Sequence, residues 1–88
     1  MKEQQFEIVN HLGLHARAAA LLVKIATHFC SDIRLCLDGI EVSGKSIMGV
    51  MMLAATKGSK VLLTVDGSDE AKAMQVIGEL INDGFGET

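Results

Sequence analysis

Residues 33–42, IRLCLDGIEV, decide how the chain folds. Apolar and polar residues alternate on both sides of the pair Asp38-Gly39, which is the pattern of two strands with one buried face each. A D-G pair between two such runs is the strongest short-range signal for a tight hairpin turn. The sequence therefore predicts an antiparallel pair of strands in the middle of the chain.

The same region contains GIEVSGKS, residues 39–46, which matches the P-loop pattern G-x-x-x-x-G-K-[ST]. A P-loop lies between a buried parallel strand and a long helix, whereas residues 40–42 alternate as a strand and Gly39 belongs to the hairpin turn. A chain of 88 residues is also too short for a parallel sheet covered on both faces. We therefore interpret the stretch as a turn, a strand and a helix start capped by Ser46.

One strand and one helix are predicted before the central hairpin and its following helix, and one strand and one helix are predicted after them. Period-2 alternation predicts strands over residues 4–9, 33–37, 40–42 and 61–65. Helical periodicity predicts helices over residues 16–28, 47–55 and 69–83, the last capped by Ser68 and buried through Ala73, Val76, Ile77, Leu80 and Ile81. The order is β-α-β-β-α-β-α. We expect one α+β domain, residues 1–88, with four mainly antiparallel strands and three helices on one face of the sheet.

Charge and composition exclude several classes of function. The net charge is −3 and the Lys and Arg residues are scattered, so we expect no binding to nucleic acid. Residues 1–10 lack the apolar core of a signal peptide, and no window reaches the roughly 18 apolar residues of a spanning helix. A cytoplasmic protein without membrane insertion is expected.

The two cysteines indicate neither a disulfide framework nor a metal site. The spacing of Cys30 and Cys36 fits neither a C-x-x-C pair nor a common zinc half-site, and no second His/Cys cluster completes one. We expect buried or half-buried free thiols, no metal and no cofactor.

The motif GLHARAAALL, residues 13–22, has the clearest chemical meaning. His15 directly precedes an Ala-rich helix, so unpaired backbone N–H groups converge near its ring, and Arg17 follows. A helix N-terminus with a guanidinium is an anion site that suits phosphate, and the helix dipole favours a neutral imidazole with one nucleophilic nitrogen. On these residues alone, a helix-capping or surface role for His15 is the alternative.

Two motifs together resemble those of the HPr family, the histidine-containing phosphocarriers of the bacterial phosphoenolpyruvate-dependent phosphotransferase system (PTS). GLHAR with the alanines after it is similar to the phosphorylation-site signature, and GKSIMGVMMLA, residues 44–54, is similar to the signature around a regulatory serine. The resemblance covers essentially the whole chain. It implies an HPr-like open-faced β-sandwich with the element order given above.

The resemblance also implies roles for individual residues. His15 matches the histidine that Enzyme I phosphorylates on Nδ1, giving a pros-phosphohistidine that is passed to EIIA-type domains. Arg17 matches the arginine that attends the phosphoryl group. Ser46 matches the serine that HPr kinase/phosphorylase modifies in regulated members. Ala18 departs from the commonest pattern, which has proline there, and this weakens an assignment to the sugar-transport branch.

An apolar docking surface for partner proteins is expected near His15. Helical spacing directs Ile47, Val50 and Ala54 toward the sheet and leaves Met48 and Met52 outward, with Met51 at the boundary. Methionines buried in the core are the alternative. The candidate partner-binding residues are Ala20, Leu21, Ile47, Met48, Met51 and Met52.

The sequence thus predicts a monomeric phosphoryl carrier that is not a self-sufficient catalyst. Two alternatives stay open. One is a regulatory binding module that acts mainly through phospho-Ser46, and the other is a carrier of a nitrogen-related (NPr-like) branch.

Overall fold

The computed structural model describes residues 1–87 and contains the predicted elements in the predicted order. The strands are β1 (Lys2–Glu7), β2 (Asp32–Leu37), β3 (Ile40–Ser43) and β4 (Lys60–Asp66). The helices are α1 (Ala16–Ala26), α2 (Ile47–Met52) and α3 (Glu70–Asn82), followed by a 3-10 turn at Gly84–Gly86.

The strands form one open sheet in the order β1-β4-β2-β3, and each neighbouring pair is antiparallel. Alternate strand residues are buried on a single face against the helices, namely Phe6, Ile33, Leu35, Val61, Leu63 and Val65. The predicted α+β open-faced fold is confirmed. None of the helices within residues 1–87 combines the length and the apolarity needed to cross a bilayer.

The central hairpin forms as predicted. Asp38 and Gly39 have φ values of 51° and 81°, and a two-residue turn with both φ values positive matches the right-handed twist of the flanking strands. The β2–β3 register begins with Leu37 opposite Ile40. Ser46 caps α2, because its hydroxyl oxygen accepts a hydrogen bond from the Gly49 N–H at 3.1 Å. The P-loop-like stretch is therefore a turn, a strand and a helix cap.

The helix α2 is shorter than predicted. It ends at Met52 rather than at residue 55, because Ala54 adopts a left-handed backbone with φ of 51°, which a right-handed helix excludes. Val50 and Leu53 form its buried side. The expectation that Ile47 and Ala54 face the sheet is wrong, since both residues are exposed.

Other differences are small. β1 begins and ends two residues before the predicted bounds, and α1 ends at Ala26 with Thr27 as its cap. Cys30 is exposed, contrary to expectation, whereas Cys36 is half-buried; both are free thiols. A further buried position on α3 is Gly78, where an added Cβ would lie 2.7 Å from the Phe6 ring.

Asp69, not Ser68, is the N-cap residue of α3, and it joins this helix to the segment after α1. Its carboxylate accepts hydrogen bonds from the N–H groups of Cys30 at 2.8 Å and Ser31 at 3.0 Å, and from the Ser31 hydroxyl. The Ser31 hydroxyl and then the Cys30 N–H lower the pKa of Asp69 below its ordinary value. The charged form of Asp69 is therefore the one that holds these two segments together.

We expect Asp69→Asn to lower the melting temperature at neutral pH by at least about 4 °C, because an amide has only one acceptor oxygen for these donors. Since the native pKa is lower than the unfolded one, this contribution is present above the unfolded pKa and is lost as the pH falls through the native pKa. Thermal unfolding at several acidic pH values measures the effect. The control is Asp32→Asn, which removes a carboxylate whose hydrogen-bond partner is the exposed Arg34. Equal losses in both variants, or a difference that persists at the lowest pH, contradict the expectation.

Candidate functional site

The backbone before α1 lies directly against the chain that follows α2. The Leu14 N–H donates to the Ala55 carbonyl oxygen at 2.9 Å, and the Gly13 N–H donates to the Asn10 carbonyl oxygen at 3.2 Å. Gly13 has φ of 64°, and a Cβ there would overlap the Ala55 oxygen. Only glycine satisfies both the conformation and the close approach. The contact with Ala55 therefore fixes the position of His15 at the start of α1.

His15 is the N-cap residue of α1. Its backbone is extended, with φ −72° and ψ 177°, and its carbonyl oxygen accepts the Ala19 N–H at 2.8 Å. The imidazole makes no capping hydrogen bond to the helix, so a purely helix-capping role for the side chain does not describe the structure. The ring is half-buried, with 26% of the side chain exposed.

The His15 ring contacts Glu87 instead. His15 Nε2 lies 2.5 Å from Glu87 Oε2, and Glu87 Oε1 accepts a hydrogen bond from Asn10 Nδ2 at 2.9 Å. Asn10 Nδ2 also donates to the Gly13 carbonyl oxygen at 2.9 Å. Asn10 is 4% exposed, and its Oδ1 is buried without a hydrogen-bond partner among residues 1–87. Asn10 and His15, which lie in one loop, and the distant Glu87 thus form one chain of polar contacts.

These contacts determine the charge and tautomer at the site. The Asn10 amide, followed by the hydrogen bond from His15 and the charges of His15 and Arg17, lowers the pKa of Glu87. Glu87 is therefore ionised at neutral pH and only accepts hydrogen bonds. A neutral His15 ring must then carry its proton on Nε2, which leaves the lone pair on Nδ1. This assignment follows from the hydrogen-bond network.

Sequence analysis did not identify Asn10 or Glu87. A weak signal for Asn10 is its position directly after an apolar strand, where Asn can turn the chain. Glu87 gives no such signal, because an isolated glutamate in a polar, glycine-containing segment is usually solvated. Only the tertiary fold brings it to His15.

Arg17 lies at the second position of α1, is exposed, and lines the same cleft as His15. The cleft is small, about 280 Å³, and His11, Leu12 and Glu87 also line it. Ala18 is buried in a regular first turn, so alanine at this position maintains the helix start. The arrangement places a cation and a helix N-terminus beside a half-buried imidazole, which is suited to binding a phosphoryl group.

An exposed apolar surface on α2 lies beside α1, against which α2 packs. Met48 and Met52 are 71% and 69% exposed, and Ile47 and Met51 are 43% and 39% exposed. The expected orientation of the three methionines is confirmed, and burial of all three in the core is excluded. On α1, Ala20 is exposed and Leu21 is half-buried. We call Ala20, Leu21, Ile47, Met48, Met51 and Met52 the apolar surface.

Ser46 stands at one end of this surface. Its side chain is exposed, and its hydroxyl caps α2. The neighbouring Lys45 donates from Nζ to the Phe29 carbonyl oxygen at 2.8 Å, which joins the start of α2 to the segment after α1. Within residues 1–87 no group of three or more His, Cys, Asp or Glu side chains is placed to hold a metal ion.

Comparison with known proteins identifies close relatives. The family model described as the PTS HPr component phosphorylation site matches residues 2–83. The phosphocarrier protein HPr of Neisseria meningitidis serogroup A is 49% identical over 99% of this chain and 98% of its own length. The crystal structure of HPr-C-His from Thermoanaerobacter tengcongensis has a TM-score of 0.96 and 45% identity, covering 100% of this chain and 99% of that one.

A crystal structure of an HPr dimer from Thermoanaerobacter tengcongensis is also similar. It has a TM-score of 0.79 and 46% identity, and the match covers 99% of this chain and 100% of that one. Since a relative with this degree of similarity is described as a dimer, the monomeric state expected for the present chain stays a prediction.

We expect Gly13→Ala to destabilise the protein by about 2 kcal/mol or more, because the new Cβ adds a steric overlap to the cost of a left-handed alanine. Urea unfolding measures this loss. The matched control is Gly39→Ala, since Gly39 also has a positive φ but a Cβ there meets nothing within 4 Å. The control should lose only about 1 kcal/mol. Equal losses in the two variants contradict the importance of the Ala55 contact.

Proposed function

Because this chain belongs to the HPr family of PTS phosphocarriers, we propose that His15 accepts a phosphoryl group from phospho-Enzyme I and passes it to an EIIA-type domain. Members of the family are carriers rather than catalysts. The protein itself is then the phosphorylated substrate of one partner and the phosphoryl donor to the next. We place this exchange in the cytoplasm.

The observation that carries the proposal is the engagement of His15 Nε2 by Glu87 at 2.5 Å. Because the proton then lies on Nε2, the nucleophile is Nδ1, in agreement with the nitrogen that the family resemblance implies. The cleft that contains the ring also contains Arg17. An imidazole with its Nδ1 lone pair free, in a cleft that an arginine also lines, suits nucleophilic attack on a phosphoryl group.

The number of protons on the His15 ring does not change during phosphoryl transfer. The Nδ1 lone pair of His15 attacks phosphorus, and the bond from phosphorus to the donor atom of Enzyme I breaks with its electron pair remaining on the donor. The Arg17 guanidinium and the free N–H groups at the start of α1 neutralise the phosphoryl oxygens. In the second transfer the acceptor atom of EIIA attacks the same phosphorus, and the electron pair of the P–N bond returns to Nδ1.

The apolar surface serves as the docking site for both partners. Methionine side chains are flexible and polarizable, so one surface can adapt to two partner shapes. A carrier must also release each partner quickly, which favours a small contact with an apolar centre over a large permanent interface.

Ser46 is the regulatory site in this proposal, and HPr kinase/phosphorylase is its modifying partner. A phosphate carrying about −1.5 to −2 charges at the start of α2 stabilises the helix end. It also places charge at the edge of the apolar surface and so weakens docking.

The exposure of Ser46 also favours a second candidate function, a regulatory module that acts mainly through phospho-Ser46. Two carrier branches are open, a sugar-related one and a nitrogen-related (NPr-like) one. The EIIA-type domain that accepts the phosphoryl group from His15 distinguishes them.

Incubation with phosphoenolpyruvate and Enzyme I should give an acid-labile, alkali-stable phosphoryl adduct. His15→Ala should abolish the adduct, because the nucleophile is lost. The matched control is His28→Ala, which removes an exposed histidine just after α1 and should leave the yield unchanged. Absence of the adduct on the intact wild-type protein contradicts the carrier function, and modification by only ATP and the kinase favours the regulatory module.

Ser46→Asp should slow transfer from Enzyme I to His15 by about tenfold, because like charge at an interface opposes docking. The melting temperature should not fall, since aspartate is as good an N-cap as serine. Initial rates of phosphoryl transfer measure the effect. Ser68→Asp, at an exposed serine before α3, is the control of equal charge. Equal rates in Ser46→Asp and wild type contradict the regulatory mechanism.

A further inference from the structure

We propose that Glu87, held in place by Asn10, is a positioning residue that keeps the His15 proton on Nε2 throughout phosphoryl transfer. This role deepens the carrier function and rests on the proposed phosphorylation of His15. It assigns to Glu87 and Asn10 a part in the choice of ring nitrogen and in the release of the phosphoryl group.

The contact differs from an ordinary surface ion pair in its burial and its number of partners. Only 15% of the Glu87 side chain is exposed, and each of its two oxygens has a partner, Asn10 Nδ2 on one side and His15 Nε2 on the other. By comparison, the surface pair Arg34 and Asp32 is 46% and 60% exposed. A carboxylate that is fixed from both sides orients the imidazole as well as attracting it.

In the unphosphorylated protein, this contact selects the tautomer. The Glu87 carboxylate has no proton to donate, so Nε2 is the donor and Nδ1 retains its lone pair. Without Glu87 the neutral ring distributes its proton between the two nitrogens. Phosphorylation should then lose its preference for Nδ1.

In the phosphorylated protein, the same contact stabilises a cation. With phosphorus on Nδ1 and hydrogen on Nε2, the ring carries a positive charge that Glu87 neutralises. When an acceptor attacks phosphorus, the P–N electron pair returns to Nδ1 and a neutral imidazole leaves. A ring that has already lost its Nε2 proton would leave as an imidazolate, which is a much poorer leaving group. Glu87 therefore favours the form of the ring that leaves as a neutral imidazole.

The other titratable groups that line the cleft are His11, from the loop before α1, and Arg17, from α1. Arg17 is a cation and opposes a second positive charge on the ring. α2 has no titratable residue in Ile47–Met52. Glu87 is the acidic residue of the cleft, which is why its removal is the informative change.

The test compares Glu87→Ala and Glu87→Gln with the wild type. Glutamine keeps the size of the side chain but is uncharged and has one acceptor oxygen for two donors, Asn10 Nδ2 and His15 Nε2, so it tests the carboxylate without removing the packing. The control is Glu79→Gln, which neutralises an exposed glutamate on α3 whose hydrogen-bond partner is Gln75. Three readouts apply: the ¹⁵N chemical shifts of the unphosphorylated His15 ring, the nitrogen modified by a small phosphoramidate donor, and the rate of phosphoryl release from enzymatically labelled protein.

Glu87→Ala should raise the Nδ1–H fraction at least about threefold and give phosphorylation on both nitrogens, and Glu87→Gln should change both readouts in the same direction, because its single acceptor oxygen is shared between Asn10 and His15. Both variants should release the phosphoryl group about tenfold more slowly at mildly alkaline pH, because the carboxylate that neutralises the ring is lost. An unchanged tautomer and ring position in Glu87→Ala overturns the positioning role, and an unchanged release rate in Glu87→Gln overturns the charge role. Since the first two readouts need no Enzyme I, failure of the carrier function is seen separately, as absence of enzymatic labelling of the wild type.

Discussion

The close approach of Gly13 and Leu14 to the Ala55 carbonyl is the constraint on which the site depends. It brings the loop between β1 and α1, which leads into His15, against the chain that leaves α2, and α1 packs against α2. The hydrogen bond uses backbone groups on both sides, so side-chain identity enters only through the need for glycine. The loop that carries His15 and the segment that follows the exposed methionines of α2 are thereby held together by backbone groups.

The sheet buries only one of its two faces, and this determines where the helix starts lie. Because all three helices pack on the same apolar side, the starts of α1 and α2 are available at the edge of the fold and their N-caps, His15 and Ser46, both face solvent in part. Each phosphorylation candidate thus lies where a helix dipole and free N–H groups favour a phosphate. One feature of the fold thus leaves the N-cap residues of two helices accessible to solvent.

Local features of the fold could be predicted from sequence, and those that depend on tertiary contacts could not. The Asp38-Gly39 turn and the start of α1 at His15 depend on nearby residues, and both predictions were confirmed. The predicted end of α2 was wrong because Ala54 adopts a left-handed backbone, which hydrophobic periodicity does not show. Before α3, Ser68 and Asp69 are adjacent and either residue type can cap a helix. The contact of Asp69 with Ser31 favours Asp69 as the N-cap residue.

The pairing of β1 with β4 places Glu7 opposite Lys60, so the first strand in sequence joins the sheet through one of the most distant contacts in the chain. Closing so large a loop costs entropy before any hydrogen bond is gained, and chains with such topology fold slowly for their size. The hairpin of β2 and β3 needs no such closure. We therefore expect folding to begin in the middle of the chain and the His15 loop, which is attached to β1, to acquire its structure late.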